Sequence, residues 1–124
     1  MTFNYTDKQL NNLNRDTGVY SVNPEFARRK HKKLVVNKPD SELASYETNT
    51  ITTSDGQEFR VVATKSDTET GFDGLAVAPI VNGKPDYKNV AVIAAGTDPD
   101  SPTKTDRCKT TFSYYSVIYS NLIV

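Results

Sequence analysis

Few side chains in this sequence could carry out chemistry, and they are scattered. There is one histidine, His31, and one cysteine, Cys108. A metal site or a proton relay built on His31 would need a partner, and the basic residues around it disfavour a bound cation. Cys108 has no second cysteine or histidine to activate its thiol. We therefore expect neither residue to act as a nucleophile or a ligand.

Aspartates and tyrosines near the C-terminus form the next candidate groups. Asp98, Asp100 and Asp106 could coordinate a divalent cation together with loop carbonyls. However, the sequence DPDSP at 98–102 lacks the glycine-centred, twelve-residue pattern of an EF-hand, so a polar loop is favoured. The tyrosines of this part of the chain are predicted to be packing residues rather than a ligand cage: Tyr114, Tyr115 and Tyr119. The sequence thus predicts no metal and no cofactor.

Basic residues concentrate near the N-terminus. The first 38 residues carry eight Lys or Arg and three Asp or Glu, whereas the remainder carries seven and twelve. The densest run lies at 28–33 and consists of Arg28, Arg29, Lys30, His31, Lys32 and Lys33, with Lys38 following. Such a run is able to contact nucleic-acid phosphates or another anionic surface. Because the net charge is zero and no aromatic side chains interleave, a solvated helix face is favoured and nucleic-acid binding is not.

Two short helices are expected to position these basic residues. Thr6 and Gln9 have the spacing of a capping box, which predicts a short helix after Thr6. Asn23 can cap a second helix, with Pro24 at the first helical position. An apolar stripe with a four-residue repeat then predicts a basic helix over 24–34, although Val35 and Val36 could instead begin an extended segment.

From residue 50 onwards the pattern changes to that of strands. The segments 50–53 and 57–63 are rich in β-branched residues, and Asp55-Gly56 between them predicts a hairpin turn. A polar loop is predicted at 65–71. The apolar runs 75–81 and 89–95 are typical of strands covered on both faces. The fold class is therefore predicted to be α+β, with N-terminal helices packed on a mainly antiparallel β-sheet.

Length and composition predict one domain of 124 residues. It divides into a basic helical part at 1–38, a sheet at 50–97 and an uncharged tail at 110–124. A single cysteine, no secretory signal pattern and no long apolar run predict a cytoplasmic protein that does not span a membrane.

Three segments of the sheet region carry a resemblance to a known family. They are SDGQEFRV at 54–61, GLAVAPI at 74–80 and VAVIAAGT at 90–97. Together they resemble the N-terminal portion of bacterial and prophage lipase-like (class 3 lipase-like) proteins of the α/β-hydrolase class. In that family a hairpin leads to an apolar strand, and a second apolar strand ends in a Gly-Thr turn near the oxyanion hole. The resemblance implies that Gly96 and Thr97 occupy this turn.

The residues that perform the family's chemistry have no counterparts here. The nucleophile of such enzymes sits in a Gly-x-Ser-x-Gly turn, which this sequence does not contain. The partner histidine follows that serine, whereas His31 lies far upstream of Gly96. The expected function is therefore a catalytically incompetent N-terminal module, truncated before the triad and not an enzyme by itself. The alternative is a small interaction module that uses the basic helix to bind a nucleic acid or an acidic protein.

The uncharged tail at 110–124 leaves two interpretations open. Its Tyr, Val and Ile content is typical of a final β-strand. Its abrupt change of composition is also consistent with a truncation-derived ending on a longer hydrolase. If further strands are missing, an open apolar strand edge would invite pairing with a second copy, which predicts a homo-oligomer.

Overall fold

The computed structural model describes residues 3–95 and, as backbone only, one strand at 116–120. Two α-helices, α1 (Asp7–Leu13) and α2 (Pro24–Arg29), precede all of the described strands. The strands are, in chain order, β1 (Leu34–Val35), β2 (Glu47–Thr48), β3 (Thr50–Thr52), β4 (Glu58–Asp67), β5 (Phe72–Val81), β6 (Lys84–Pro85), β7 (Val90–Ala94) and β8 (Ser116–Ser120). Short 3₁₀ turns lie at Val19–Val22 and Asp40–Glu42. The fold class is α+β, as predicted.

Helix α1 begins at the predicted capping box. The Gln9 backbone N–H donates to Thr6 Oγ1 over 3.1 Å, and the Thr6 N–H donates to Gln9 Oε1 over 3.0 Å. These two bonds satisfy donors that a helix N-terminus otherwise leaves without partners. Leu10 and Leu13 on one side of this helix are buried. The sequence therefore correctly placed both the start of α1 and its apolar face.

Helix α2 begins as predicted but ends five residues earlier than the predicted helix over 24–34. Asn23 Oδ1 accepts from the N–H groups of the first turn, and the last helical residue is Arg29. The chain then leaves the helix at His31, whose φ is +57°. The Lys32 N–H donates to Ala27 O over 2.9 Å and the His31 N–H donates to Arg28 O over 3.3 Å. This is a Schellman ending, with histidine where glycine is usual.

The early end of α2 changes the role of the residues that follow it. Leu34 does not extend the helical stripe but begins β1, which pairs with β2 in a parallel two-stranded sheet. The extended alternative for the segment around Val35 is therefore confirmed. Val35 is buried in the main core, so burial outweighs the helical repeat that Phe26, Lys30 and Leu34 display in the sequence.

The β3–β4 hairpin forms around Asp55-Gly56, as predicted. Gly56 has a φ of +92°, and its N–H donates to Thr53 O over 2.9 Å. The predicted loop over 65–71 is wrong at its start, because β4 continues to Asp67. Its register explains why: Lys65 pairs with Gly74 and Asp67 with Phe72 on β5. Pairing with the neighbouring strand thus extends β4 through residues of low strand propensity.

The main sheet has the strand order β3-β4-β5-β7-β8, with antiparallel pairing throughout, and β6 adds to the end of β5. Strand β8 pairs with β7 from Val90 to Ala94. The prediction of a strand in the tail is confirmed for 116–120. The edge of β7 is therefore occupied by β8, and among the described strands the outer ones are β3 and β8.

One face of this sheet, which we call the covered face, packs against the N-terminal part. Cross-strand partners share a face, so Val61, Val77 and Ala91 point the same way, as do Leu75 and Ile93. All of them belong to one hydrophobic cluster with side chains from the helical part. The members of this cluster are Leu13, Val19, Val22, Val35, Ile51, Phe59, Val61, Leu75, Val77, Ala91 and Ile93.

Aromatic side chains join the N-terminal segment to this covered face. The rings of Tyr5 and Phe59 stack with 5.6 Å between their centroids, and Phe3 meets both rings edge-on. The Tyr5 hydroxyl donates to Asn89 O over 2.7 Å. A buried tyrosine needs such an acceptor for its hydroxyl, so this bond completes the packing.

Candidate functional site

The β5–β7 pair is the element that the lipase-like resemblance singles out. In its register, Gly74 faces Ala94 and Val77 faces Ala91. Strand β7 runs toward residue 96 and ends at Ala94, after which the Ala95 N–H donates to Asp73 O over 2.9 Å. Gly96 and Thr97, which the resemblance implies for the oxyanion turn, lie outside the described residues.

The second face of the same strand pair, which we call the reverse face, is apolar and partly exposed. Ala76 faces Val92 in the register, and Gly74 faces Ala94. Val92 is 37% exposed, and Ala76 and Ala94 are half-buried. None of these residues belongs to the hydrophobic cluster of the covered face. The prediction that β7 is covered on both faces is therefore wrong for the part of the chain that the structure describes.

Phe72 has an aromatic side chain that lies over Gly74 on the reverse face. A Cβ built on Gly74 would lie 2.8 Å from the edge of the Phe72 ring, which shows how closely this ring covers the glycine. Phe72 itself is 42% exposed. The ring therefore shields Gly74, while Val92 on the same face stays 37% exposed.

The basic residues at 28–30 are all exposed, and several of their contacts lie within α2. Arg28 Nη2 lies 2.7 Å from Glu25 Oε2 in the same helix. The Arg29 guanidinium lies 5.3 Å from the centre of the Phe26 ring, and Lys30 Nζ lies 6.0 Å from it. Contacts of this kind are cation–π interactions. The interaction module predicted on these residues stays a prediction, and the helix that was to present them is only six residues long.

Lys32 and Lys33 lie apart from that helix and line a pocket. The Schellman ending turns the chain at His31, so that both lysines face β3 across an open pocket of about 210 Å³. The other lining residues are Thr17, Thr48, Thr50, Ile51 and Thr52. The sequence analysis did not identify this pocket. The alternation of threonine at 48, 50 and 52 is a signal of a strand with hydroxyls on one side, but nothing local in the sequence marks Thr17.

An ion pair between a half-exposed lysine and a buried glutamate lies beside the neighbouring β1–β2 pair. Lys38 Nζ donates to Glu47 Oε1 and Oε2 over 3.0 and 2.9 Å, and the Ala44 N–H donates to Glu47 Oε1 over 3.0 Å. The Ala44 N–H, followed by Lys38, lowers the pKa of Glu47, and the bond to Glu47 raises the pKa of Lys38. Glu47 is 6% exposed, so its charge depends on these partners. The sequence analysis missed this pair.

The remaining predicted candidates are not gathered into a site by the structure. His31 is exposed at the end of α2, where its backbone conformation ends the helix. Cys108, the three aspartates after residue 97, Tyr114 and Tyr115 lie outside the described residues, and only the backbone of Tyr119 is described. Within 3–95, no three His, Cys, Asp or Glu side chains are grouped so that they could hold a metal ion.

Comparison with protein-family models, with curated proteins and with solved structures finds no match for this chain. Among the helices of the described residues, none is long and apolar enough to cross a bilayer. The resemblance to lipase-like hydrolases therefore stays a prediction from the three sequence segments.

Proposed function

We propose that this chain is a sheet-forming module of a lipase-like α/β hydrolase, one that supplies the hairpin before the oxyanion turn but neither the nucleophile nor the base. The observation that carries the proposal is the partly exposed apolar surface on the reverse face of the β5–β7 pair. In α/β folds, helices cover both faces of the sheet, and strands in such sheets are apolar on both sides. Val92, Ala76 and Ala94 are apolar, as in a sheet face that helices cover, but they are partly exposed.

The course of β7 gives further support. Strand β7 pairs antiparallel with β5 and ends two residues before Gly96, which is the arrangement that the resemblance implies for a strand leading into the oxyanion turn. A backbone N–H at such a turn stabilises the negative oxygen of a tetrahedral intermediate. Within this proposal, Gly96 and Thr97 supply that turn, while a serine, an acid and a histidine come from elsewhere.

Because the catalytic serine, acid and histidine come from elsewhere in this proposal, the chain by itself has no hydrolase activity. Acyl transfer by this family requires a serine on a sharp turn and a histidine that takes its proton. The 124 residues contain no Gly-x-Ser-x-Gly sequence, and the single histidine is used in the chain reversal after α2. We expect the purified chain to hydrolyse p-nitrophenyl butyrate no faster than buffer does.

A co-expression experiment tests the proposal directly. The full chain is produced together with a second chain that carries the Gly-x-Ser-x-Gly segment, acid and histidine of a lipase-like hydrolase but lacks its N-terminal hairpin. We expect ester hydrolysis only when both chains are present. Val92→Asp should abolish it, because a charge on the reverse face prevents burial against helices.

The matched control is Val81→Asp, which places the same charge at a residue that is also exposed, 41%, but lies at the far end of β5. This variant should keep the activity of the pair. The proposal fails if the catalytic chain is equally active or equally inactive with and without the present chain. It also fails if the present chain alone hydrolyses the ester.

A further inference from the structure

The pocket between Lys33 and β3 has a chemistry that the hydrolase proposal does not use. From its lining we propose that it is a binding site for a small oxyanion, specifically the dianionic phosphate of a soluble phosphate monoester. The inference is independent of the hydrolase proposal, since no reverse-face residue lines the pocket. The pocket is also smaller than the roughly 300–1,000 Å³ of sites for drug-sized ligands, which suits a small anion.

Charge is the first argument. Of the basic run at 28–33, Arg28 is paired with Glu25, and Arg29 and Lys30 lie over the Phe26 ring. Lys32 and Lys33 are exposed, and no carboxylate within 3–95 lies at ion-pair distance from either. The pocket is thus lined by two lysines, and an anion bound between like charges stabilises both of them.

Two acidic side chains, Glu47 and Asp40, lie close to pocket residues in the sequence or the fold and have partners of their own. Glu47, which precedes the pocket residue Thr48, is held by Lys38 and by the Ala44 N–H. Asp40 accepts a hydrogen bond from Asn49 Nδ2 over 2.8 Å. Both carboxylates are therefore engaged with partners outside the pocket and do not pair with the two lysines.

Backbone geometry supplies a further donor. The Val61 N–H donates to Asn49 O and the Thr53 N–H donates to Gln57 O, both over 2.9 Å. In an antiparallel pair such bonds fall on alternate residues, so the N–H and C=O groups of Thr50 and Thr52 point away from β4 toward the open edge. The Thr50 N–H already meets Thr48 Oγ1 at 3.3 Å. The Thr52 N–H therefore points to the pocket side of β3 with no partner within 3–95.

Of the four threonine hydroxyls that line the pocket, two have an acceptor within 3–95 and two do not. The Thr48 hydroxyl donates to Thr50 O and the Thr50 hydroxyl donates to Asn49 Oδ1, each over 3.0 Å. The hydroxyls of Thr17 and Thr52 have no such acceptor in the described residues. A phosphate oxygen accepts several hydrogen bonds, so two lysines, one backbone N–H and two hydroxyls form a suitable set of donors.

A titration of the full chain with inorganic phosphate and with glycerol 3-phosphate tests the inference. Amide shifts are followed by ¹⁵N NMR at constant ionic strength, and we expect saturable shifts centred on Lys32, Lys33 and Thr52. The double substitution Lys32→Ala with Lys33→Ala should weaken binding at least about tenfold, because charge-assisted hydrogen bonds supply most of the affinity. Dimethyl phosphate, a monoanion, should bind more weakly than glycerol 3-phosphate.

The matched control removes two charges from the same basic run outside the pocket, by Arg29→Ala with Lys30→Ala. Binding that stays within about twofold of the original supports a defined site, whereas an equal loss in both double variants means diffuse attraction and overturns the inference. Shifts that never saturate also overturn it. Vesicles containing phosphatidic acid present the same phosphate monoester on a lipid. If the chain binds these vesicles but not glycerol 3-phosphate, the inference that the ligand is a soluble phosphate monoester is wrong.

Discussion

The covered and reverse faces of the main sheet are both apolar, yet they differ in what packs on them. Ile93 on the covered face is fully buried among helix and turn residues, whereas Val92, its neighbour on the same strand, is 37% exposed. Adjacent side chains of a strand point to opposite faces, so Ile93 reports on the covered face and Val92 on the reverse face of the same strand. The comparison teaches that apolar composition alone does not say whether a face is covered.

The largest expected contrast comes from truncating these two neighbours. Ile93→Ala should lower the free energy of unfolding by about 2–5 kcal/mol, since it leaves a cavity in a packed core. Val92→Ala should change it by no more than about 0.5 kcal/mol, as for most surface substitutions. Urea unfolding followed by circular dichroism measures both. Equal losses in the two variants would mean that the reverse face is covered in solution, for example by a second copy.

Gly18, beside the covered face, and Gly74, on the reverse face, allow the same comparison for substitutions that add a methyl group. A Cβ on Gly18 would lie 2.1 Å from the backbone oxygen of Leu13, so Gly18→Ala must displace α1 or the 3₁₀ turn that packs on the covered face. We expect a loss of roughly 1–3 kcal/mol, typical of overpacking. In Gly74→Ala on the reverse face, the described atoms closer than 3.0 Å to the added Cβ belong to the Phe72 ring, and this side chain is 42% exposed.

The expected change for Gly74→Ala is within about 0.5 kcal/mol. Thermal unfolding of the two alanine variants side by side provides the measurement. A large loss for Gly74→Ala would show that the Phe72 ring is fixed in place, and the reverse face would then be more ordered than its exposure indicates. A negligible loss for Gly18→Ala would show that the N-terminal part is loosely attached to the sheet.

The smallest expected effect is on the pH dependence of the free energy of unfolding, through the Lys38–Glu47 pair beside β1 and β2. Glu47 has a pKa lowered from its ordinary value of 4.5, so its contribution to stability is present above about pH 4.5 and is lost as pH falls through the lowered pKa. Lys38 has a raised pKa, so its contribution is present below 10.5 and is lost only at still higher pH. The acid side is therefore where Glu47 contributes to the pH dependence of stability.

Glu47→Gln should flatten the loss of stability between about pH 5 and pH 3, measured as the urea midpoint at each pH. At low pH, amide hydrogen exchange should become faster in β1 and β2 but not in β7. The β1–β2 pair joins the covered face through Val35. Asp55 also has a lowered pKa, mainly through the Thr53 hydroxyl, and Asp67 and Asp86 have lowered pKa values as well. Some acid sensitivity should therefore remain. An unchanged pH profile in Glu47→Gln would contradict the role of this pair.

Local signals in the sequence account for the parts of the fold that were predicted correctly. The Thr6–Gln9 box, the Asn23 cap and the Asp55-Gly56 turn each join groups within four residues of one another, so the sequence displays both partners together. The same holds for the strands, because β-branched and apolar runs favour extended backbone wherever they pack. The α+β class follows from these elements.

Long-range pairing decided the rest. The helix after Asn23 ends at Arg29 because Leu34 and Val35 are drawn into a strand and into the core, and β4 reaches Asp67 because β5 pairs with it. The Lys38–Glu47 pair and the pocket between Lys33 and β3 likewise join residues that are separated in the chain. A local pattern states what a segment prefers, but burial and hydrogen bonds to distant partners are known only once the chain is folded.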